Sequence, residues 1–407
     1  MFIAKRAYCR IFQTAFRIAI PVLPYRKPEI IEGFSGLIPL LKKQQISSVL
    51  LVTDAGIRKA GLTSPLEELL AEAEIHCSIY DKTTANPTVD NVEEAAKQYT
   101  ENGCQVIIAL GGGSSIDCAK ACGARIAKPR QSLAQMKGLL KIHKKLPTLI
   151  AIPTTAGTGS ETTLAAVITD PKSHHKYPIN DFCLIPRYAV LDPQITRSLP
   201  PALTASTGMD ALTHAVEAYI GRSTTRQTRE DALTAVSLIF ENLSRAYHDG
   251  NDLEARKNML HAAYLAGSAF TVSYVGYVHA VAHSLGGRYG TPHGLANAIL
   301  LPYVLEAYGP SAHKKLHELA KAAGLCDGSE SHEEGAKRFI QAVQDMKQEY
   351  HLEDSSIRVA ARDIPRLSYF ASKEANPLYP VPKLMNRKEL EQFYYPFAQA
   401  RRKEHDA

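Results

Sequence analysis

Three histidines, His279, His283 and His293, lie within VHAVAHSLGGRYGTPHGLANA (278–298), among small and apolar residues. His279 and His283 are four apart, so on a helix they share one face, one turn apart. Gly286 and Gly287 are expected to end that helix, and Pro292-His293-Gly294 to open the next one with a third imidazole. Upstream, Gly208-Met209-Asp210-Ala211-Leu212-Thr213-His214 puts a carboxylate and an imidazole at i and i+4. One carboxylate and several imidazoles drawn from separate helices suit a divalent transition metal. A lone buried histidine is more often a hydrogen-bonded core residue than a ligand, and Asp210-x3-His214 alone is a weak signal. The occurrence of both motifs in one chain carries the metal expectation.

A second chemistry is suggested by two strand ends. Gln105-Val-Ile-Ile-Ala-Leu110 runs into Gly111-Gly112-Gly113-Ser114, with a helix expected from near Ser115. Glycines let a backbone approach phosphate closely, and a helix N-terminus offers unpaired N–H groups and the positive end of a dipole. Ser114 and Asp117 are spaced as a capping pair. The run Thr148–Pro153 leads likewise into Thr154-Thr155-Ala156-Gly157-Thr158-Gly159-Ser160. Such a glycine turn is often only a turn, and it lacks the G-x-G-x-x-G spacing. Its place at the carboxyl end of a strand, where open α/β sheets bind ligands, favours a ligand site.

Asp-x3-His, followed by His-Ala-x-Ala-His-x2-Gly and Pro-His-Gly-x2-Asn-Ala, resembles the iron-containing alcohol dehydrogenase family, from about residue 28 to the C-terminus. The resemblance implies Asp210, His214, His279 and His293 as ligands of Fe2+, with Zn2+ as the alternative ion, and His283 as an unligated proton relay. It assigns both strand-end loops to NAD. Gly113 and Ser114 would meet the pyrophosphate, with Thr154, Thr155, Thr163 and Lys176 nearer the nicotinamide half; Asn86 would also contact the dinucleotide, and Gly112, Asp117 and Thr158 complete the cofactor-binding set. Asp54 ends the first strong strand where an acid would face the adenosine ribose. A carboxylate there accepts from a free 2′-hydroxyl and repels a 2′-phosphate, which predicts NAD over NADP; the bland alternative is a helix cap. The implied reaction is hydride exchange between NAD(H) and a small alcohol or aldehyde, in a cleft between two domains, by an enzyme that is a homodimer or a higher homo-oligomer. The alternatives on the same fold are a polyol dehydrogenase, a hydroxyacid–oxoacid transhydrogenase and a lyase of the dehydroquinate synthase type. Tyr177, Phe182, Phe270, Tyr274, Tyr289 and Tyr379 are candidates to line the substrate pocket, with buried packing the stronger reading for each.

The elements that must position these groups change character near residue 200. Before it, the strand-like runs at 47–54, 76–80, 105–110 and 148–153 alternate with helical stretches, and their continuous apolar character implies a buried parallel sheet. After Leu199-Pro200-Pro201 the pattern is helical, with Ala/Leu/Glu-rich periodicity from Ala211 to Glu349. The expectation is an N-terminal extension (1–27), an α/β dinucleotide-binding domain (28–200) and an all-α metal-binding domain (201–407).

The chain has 407 residues and a formal charge of +6, with no basic stripe interleaved with aromatics, so nucleic-acid binding is not expected. No apolar run reaches the ~20 residues needed to cross a bilayer. Seven scattered cysteines without a CxxC pair read as reduced thiols, which suits a cytoplasmic enzyme. Residues 1–26 carry Lys5, Arg6, Arg10, Arg17 and Arg26 but no acid, with Phe12, Phe16 and Ile20 at helical spacing. Three readings fit: an interfacial helix making peripheral membrane contact, an organelle transit peptide, and a helix packed on its own protein or a partner subunit.

Overall fold

The apolar runs do pair as a parallel sheet. The computed structural model describes residues 3–171 and 175–399. Its strands are β1 (Glu29–Glu32), β2 (Ser48–Val52), β3 (His76–Tyr80), β4 (Val106–Gly111), β5 (Gly138–Leu139), β6 (Thr148–Pro153), β7 (Ala165–Asp170), β8 (His175–Asn180) and β9 (Tyr188–Leu191). Six of them form an all-parallel sheet in the order β1-β9-β6-β4-β2-β3. Alternate residues serve opposite faces. Leu50, Val52, Ile107 and Ala109 pack with Val92, Ile116 and Ala119, whereas Val49, Leu51, Ile108 and Leu110 pack with Leu37, Leu41, Leu66 and Leu70. Both faces are therefore covered, which is why β2 and β4 read as unbroken apolar runs. The strands β5, β8 and β7 form a separate small sheet.

The chain divides into two compact units. The sheet unit comprises Pro24–Leu199 and also Gly250–Thr271. The chain thus leaves the sheet unit at residue 200, but the helical stretch after Gly250, placed by its periodicity in the helical half, returns to the sheet unit. The reason is a glycine contact: a Cβ on Gly159 would lie 2.7 Å from the Gly267 Cα, and one on Gly267 would lie 2.3 Å from the Thr162 Oγ1. Two glycines let this helix seat on the loop after β6.

Among its described residues the second unit is helical apart from a two-residue parallel pairing of Val359–Ala360 with Ala398–Gln399. Its central helix, Pro201–Ile220, is buried almost all round from Thr204 onward. A helix with so little polar face must be a core element. The helix Tyr277–Tyr289 runs straight through Gly286 and Gly287, contrary to expectation. It stops at Gly290, whose φ of +68° and N–H bond to the Gly286 carbonyl form a left-handed cap. A glycine ends a helix only where the backbone turns left-handed; within a helix it is merely unfavourable by about 1 kcal/mol.

The N-terminal segment forms a helix, Ile3–Ala19, that belongs to this second unit. Cys9 and Gln13 are buried; the Gln13 amide donates to the Tyr379 carbonyl (2.7 Å), and Arg10 donates to the Val381 and Pro382 carbonyls (both 2.8 Å). The helix is thus packed on its own protein, one of the three readings. Among the described residues no single helix is long and apolar enough to cross a membrane.

Candidate metal and dinucleotide sites

The candidate metal site is built from three helices of the second unit. Asp210 and His214 share one face of Pro201–Ile220, His279 lies in the first turn of Tyr277–Tyr289, and His293 is the first residue of His293–Tyr308. One donor atom from each of the four lies within 4.8 Å of all the others. The close approach depends on Gly294, where a Cβ would sit 2.6 Å from the Ser206 carbonyl oxygen. Asp210, His214 and His279 are at most 4% exposed, while the His293 side chain is 40% exposed. The site is therefore closed on three sides and open beside His293.

Asn297 shows where the lone pairs point. Its Nδ2 lies 2.7 Å from Asp210 Oδ1, 3.2 Å from His279 Nε2 and 3.1 Å from His293 Nε2, while its own Oδ1 is buried without a hydrogen-bond partner. An amide nitrogen carries two protons and cannot satisfy three acceptors. Three acceptors aimed at one point are what a cation satisfies, and a carboxylate with three imidazoles fits iron or zinc.

The structure adds a group that carries no motif. Glu217, 2% exposed, accepts from His279 Nδ1 (2.7 Å) and from the backbone N–H groups of Gly276 (2.7 Å) and Val278 (2.8 Å). Gly276 is required here, because a Cβ would lie 2.6 Å from Glu217 Oε1. Burial pushes the Glu217 carboxyl up to about 7, against the N–H groups that favour its charged form. Burial, followed by the neighbouring imidazoles, holds the His279 pKa well below the ordinary range, so the ring is neutral. With Nδ1–H committed to Glu217, the Nε2 lone pair is left for the metal.

His283 stands beside this set without joining it. Its ring is stacked on His293 at 5.2 Å, and its Nδ1 meets Glu374 Oε1 at 2.6 Å. Glu374 also accepts from the Tyr379 hydroxyl (2.7 Å). Burial raises the Glu374 pKa, but the charge and hydrogen bond of His283 and the Tyr379 hydroxyl outweigh it and hold the carboxyl below its usual range. Tyr379 is therefore more than packing: it helps to orient the pair.

The dinucleotide candidates converge in the sheet unit. The order of the sheet reverses between β2 and β4, so the loops after these strands flank the switch point, where open α/β sheets bind their ligands. Gly111 pairs with Pro153 in the sheet, so the loop carrying Gly112, Gly113 and Ser114 and the loop carrying Thr154, Thr155 and Thr158 leave adjacent strands together. A Cβ on Gly111 would sit 2.5 Å from Ser115 Oγ, so this position needs glycine; Gly112 caps the helix Gly113–Ala127 with open space around it. Thr158 faces Gly113. Ser114 Oγ donates to the Ala85 carbonyl (2.7 Å), and Lys176 Nζ donates to Asn86 Oδ1 (2.8 Å). The expected Ser114–Asp117 capping pair is not formed. Asp117 is drawn inward instead, accepting from Ser160 Oγ (2.9 Å) and Val167 N (3.0 Å). Asp54 caps the helix Ala55–Lys59, its Oδ1 accepting from Gly56 N and Ile57 N, while Oδ2 lies 3.3 Å from Ser115 Oγ. The cap and the place beside the glycine turn thus occur together.

Lys120 was not marked by any motif. Fully buried, it donates to the Thr163 carbonyl (2.9 Å), Thr163 Oγ1 (2.7 Å) and the Ala165 carbonyl (2.9 Å), fixing the chain beyond the second loop. Burial lowers its pKa to about 8, against the charges of Asp117 and Glu161.

Models of two families cover most of the chain: iron-containing alcohol dehydrogenase over residues 32–193, and the C-terminal domain of the Fe-containing alcohol dehydrogenase family over residues 204–396. The chain belongs to the iron-containing alcohol dehydrogenase family. As a member it is an oxidoreductase. Alcohol dehydrogenase 4 of Schizosaccharomyces pombe is 40% identical over 346 residues, spanning 84% of this chain and 81% of that protein. The 1,3-propanediol dehydrogenase of Klebsiella pneumoniae is 38% identical over 347 residues, 84% of this chain and 89% of the relative. Among solved structures, a 1,3-propanediol oxidoreductase superposes with a TM-score of 0.86 at 34% identity, covering 91% of this chain and 98% of its own. A sulfoacetaldehyde reductase from Bifidobacterium kashiwanohense, solved in complex with NAD+, superposes with a TM-score of 0.81 at 27% identity, covering 92% and 98%.

Proposed function

We propose that this chain interconverts small alcohols and aldehydes with NAD(H), using one divalent ion, iron in preference to zinc, held by Asp210, His214, His279 and His293. The observation that carries the reading is the convergence of Asp210 Oδ1, His279 Nε2 and His293 Nε2 on a single point, with His279 pre-oriented by Glu217. The ion would supply Lewis acidity to the substrate oxygen, and the dinucleotide would give or take the hydride. The exposed edge at His293 is where substrate enters. His283 moves the substrate proton toward solvent, with its Nδ1 held by Glu374. Elemental analysis of purified protein together with an alcohol panel read as NADH absorbance tests this. Equal turnover by metal-stripped and reconstituted protein would sink it.

Replacing His283 by Ala is expected to leave the metal content intact and to slow turnover by about a hundredfold near neutral pH. Loss of the metal from that variant would mean that His283 is a ligand. For Asp54 the expectation concerns the cofactor. Asp54→Ser keeps a hydroxyl to cap Gly56 and Ile57 but removes the charge that disfavours a 2′-phosphate, so kcat/KM with NADP relative to NAD should rise by about tenfold. An unchanged ratio would strip Asp54 of that role.

The N-terminal helix supports a second function that coexists with the first: attachment to an anionic membrane surface. One face docks on the protein through Cys9 and Gln13, while Ile3 (88%), Ile11 (69%) and Ile18 (70%) are exposed on the other, with Lys5, Arg6 and Arg17 also exposed. An outward apolar row beside cations suits a negatively charged lipid interface. Co-sedimentation with vesicles containing anionic phospholipid should be strong at low salt and lost in the double variant Ile11→Asp with Ile18→Asp. Equal partition of wild type and variant would rule out this use of the helix.

A further inference from the structure

A second group of metal-ligand side chains lies in the helical unit, outside everything used above. The helix His313–Ala322 ends in a turn that leads to the helix His332–Glu349. His317 comes from the first helix, and Cys326 and Glu330 from the turn, and one donor atom from each lies within 4.8 Å of the other two. His317 is 7% exposed, and its Nε2 is buried without a hydrogen-bond partner. A buried polar atom with nothing to bind is unfavourable, and native folds seldom leave one without a purpose.

Two further features converge on the same spot. His332, exposed at the start of the second helix, has its ring 5.5 Å from that of His317. A similar separation, 5.4 Å, holds between His279 and His293 in the site already described. Gly335, inside the second helix, provides the room: a Cβ there would lie 2.4 Å from His317 Cδ2. A glycine in a helix interior is unfavourable, so its presence where an imidazole approaches this closely makes room for the ring.

The other calls on these groups leave capacity for a cation. Glu330 Oε1 pairs with Arg338 at 2.7 Å, and Oε2 accepts from Gly328 N at 3.1 Å. Each carboxylate oxygen has a second lone pair. Arg338 pairs with one oxygen of the acid, and a cation that displaces the Cys326 thiol proton would bring thiolate and carboxylate together as its two charged ligands.

We propose that His317, Cys326 and Glu330, with His332 closing as the fourth ligand, form a structural site for a zinc-type divalent cation that ties the turn 324–331 to both flanking helices. With His332 added, four protein ligands leave no open position, which is the plan of a closed structural site rather than of a catalytic one. The thiolate separates it from the Asp210 site, which offers oxygen and nitrogen only, and biases it toward softer ions.

Cobalt substitution of the full-length protein tests this, since a thiolate gives cobalt a near-ultraviolet charge-transfer band that oxygen and nitrogen ligands do not. The band is expected in the wild type and should vanish in Cys326→Ser and in His317→Gln, with alcohol oxidation retained in both. It should persist in Cys77→Ser and Cys183→Ser, the other half-buried thiols. A wild-type spectrum without the band overturns the site, as does a band that survives Cys326→Ser or His317→Gln. A second measurement needs no variant: zinc should slow alkylation of Cys326 in the wild type by at least about tenfold, read by peptide mapping, and equal rates with and without zinc overturn the proposal. Neither readout depends on turnover, so failure of the dehydrogenase reading would leave both intact.

Discussion

His279→Ala is expected to release the metal and to lower turnover by at least about a thousandfold, some 4 kcal/mol of barrier. Of the four proposed ligands, His279 is the one whose state the fold determines most completely. Its ring is 2% exposed and neutral, and its Nδ1–H is committed to Glu217, so Nε2 presents a lone pair to the proposed ion. Alanine removes that lone pair and leaves Glu217 one proton donor short in a buried place. His214, stacked on the ring at 4.6 Å, would lose its support as well. The check is metal content by elemental analysis beside NADH formation, with circular dichroism to establish that the helices persist. Wild-type kcat/KM in metal-free His279→Ala would remove the cation from the chemistry altogether.

The quartet was legible because short motifs encode it locally: Asp210 and His214 are one helical turn apart, and Pro292-His293-Gly294 opens a helix. The support for the quartet was not. Glu217 is a single acid outside both motifs, and its meaning depends on Gly276 being small enough to admit it, 59 residues away along the chain. Lys120 had the same fate, since only the folded loop brings Thr163 and Ala165 around it. The parallel sheet was visible from the apolar runs, yet β1 and β9, four residues each, are too short for a pattern to emerge. Gly286 and Gly287 misled because a glycine's residue type does not reveal its φ. The segment after Gly250 misled because periodicity says that a helix is amphipathic and not which body it leans on; the Gly159–Gly267 contact decides that. The basic N-terminal helix stayed ambiguous for a related reason. Its apolar residues cover more than one face, and only the fold shows that Cys9 and Gln13 are the side turned inward.

Glu217 then yields a prediction that separates orientation from ligation. Glu217→Gln keeps the shape but offers one oxygen and one NH2 to three N–H groups, so at least one donor loses its acceptor. The imidazole of His279 should then rotate or change tautomer, and metal affinity should fall by about 10–100-fold while the ligands themselves remain. Turnover at saturating metal should recover most of its wild-type value, which a lost ligand could not do. Glu217→Ala goes further. It leaves two backbone N–H groups and the ring N–H buried without a partner, and the protein should lose about 3–5 kcal/mol of stability. Competition with a chromophoric chelator measures the affinity, and thermal unfolding of the metal-free proteins measures the stability. Unchanged metal affinity in Glu217→Gln would mean that His279 is oriented by packing alone, and the buried carboxylate would then be left without its assigned purpose.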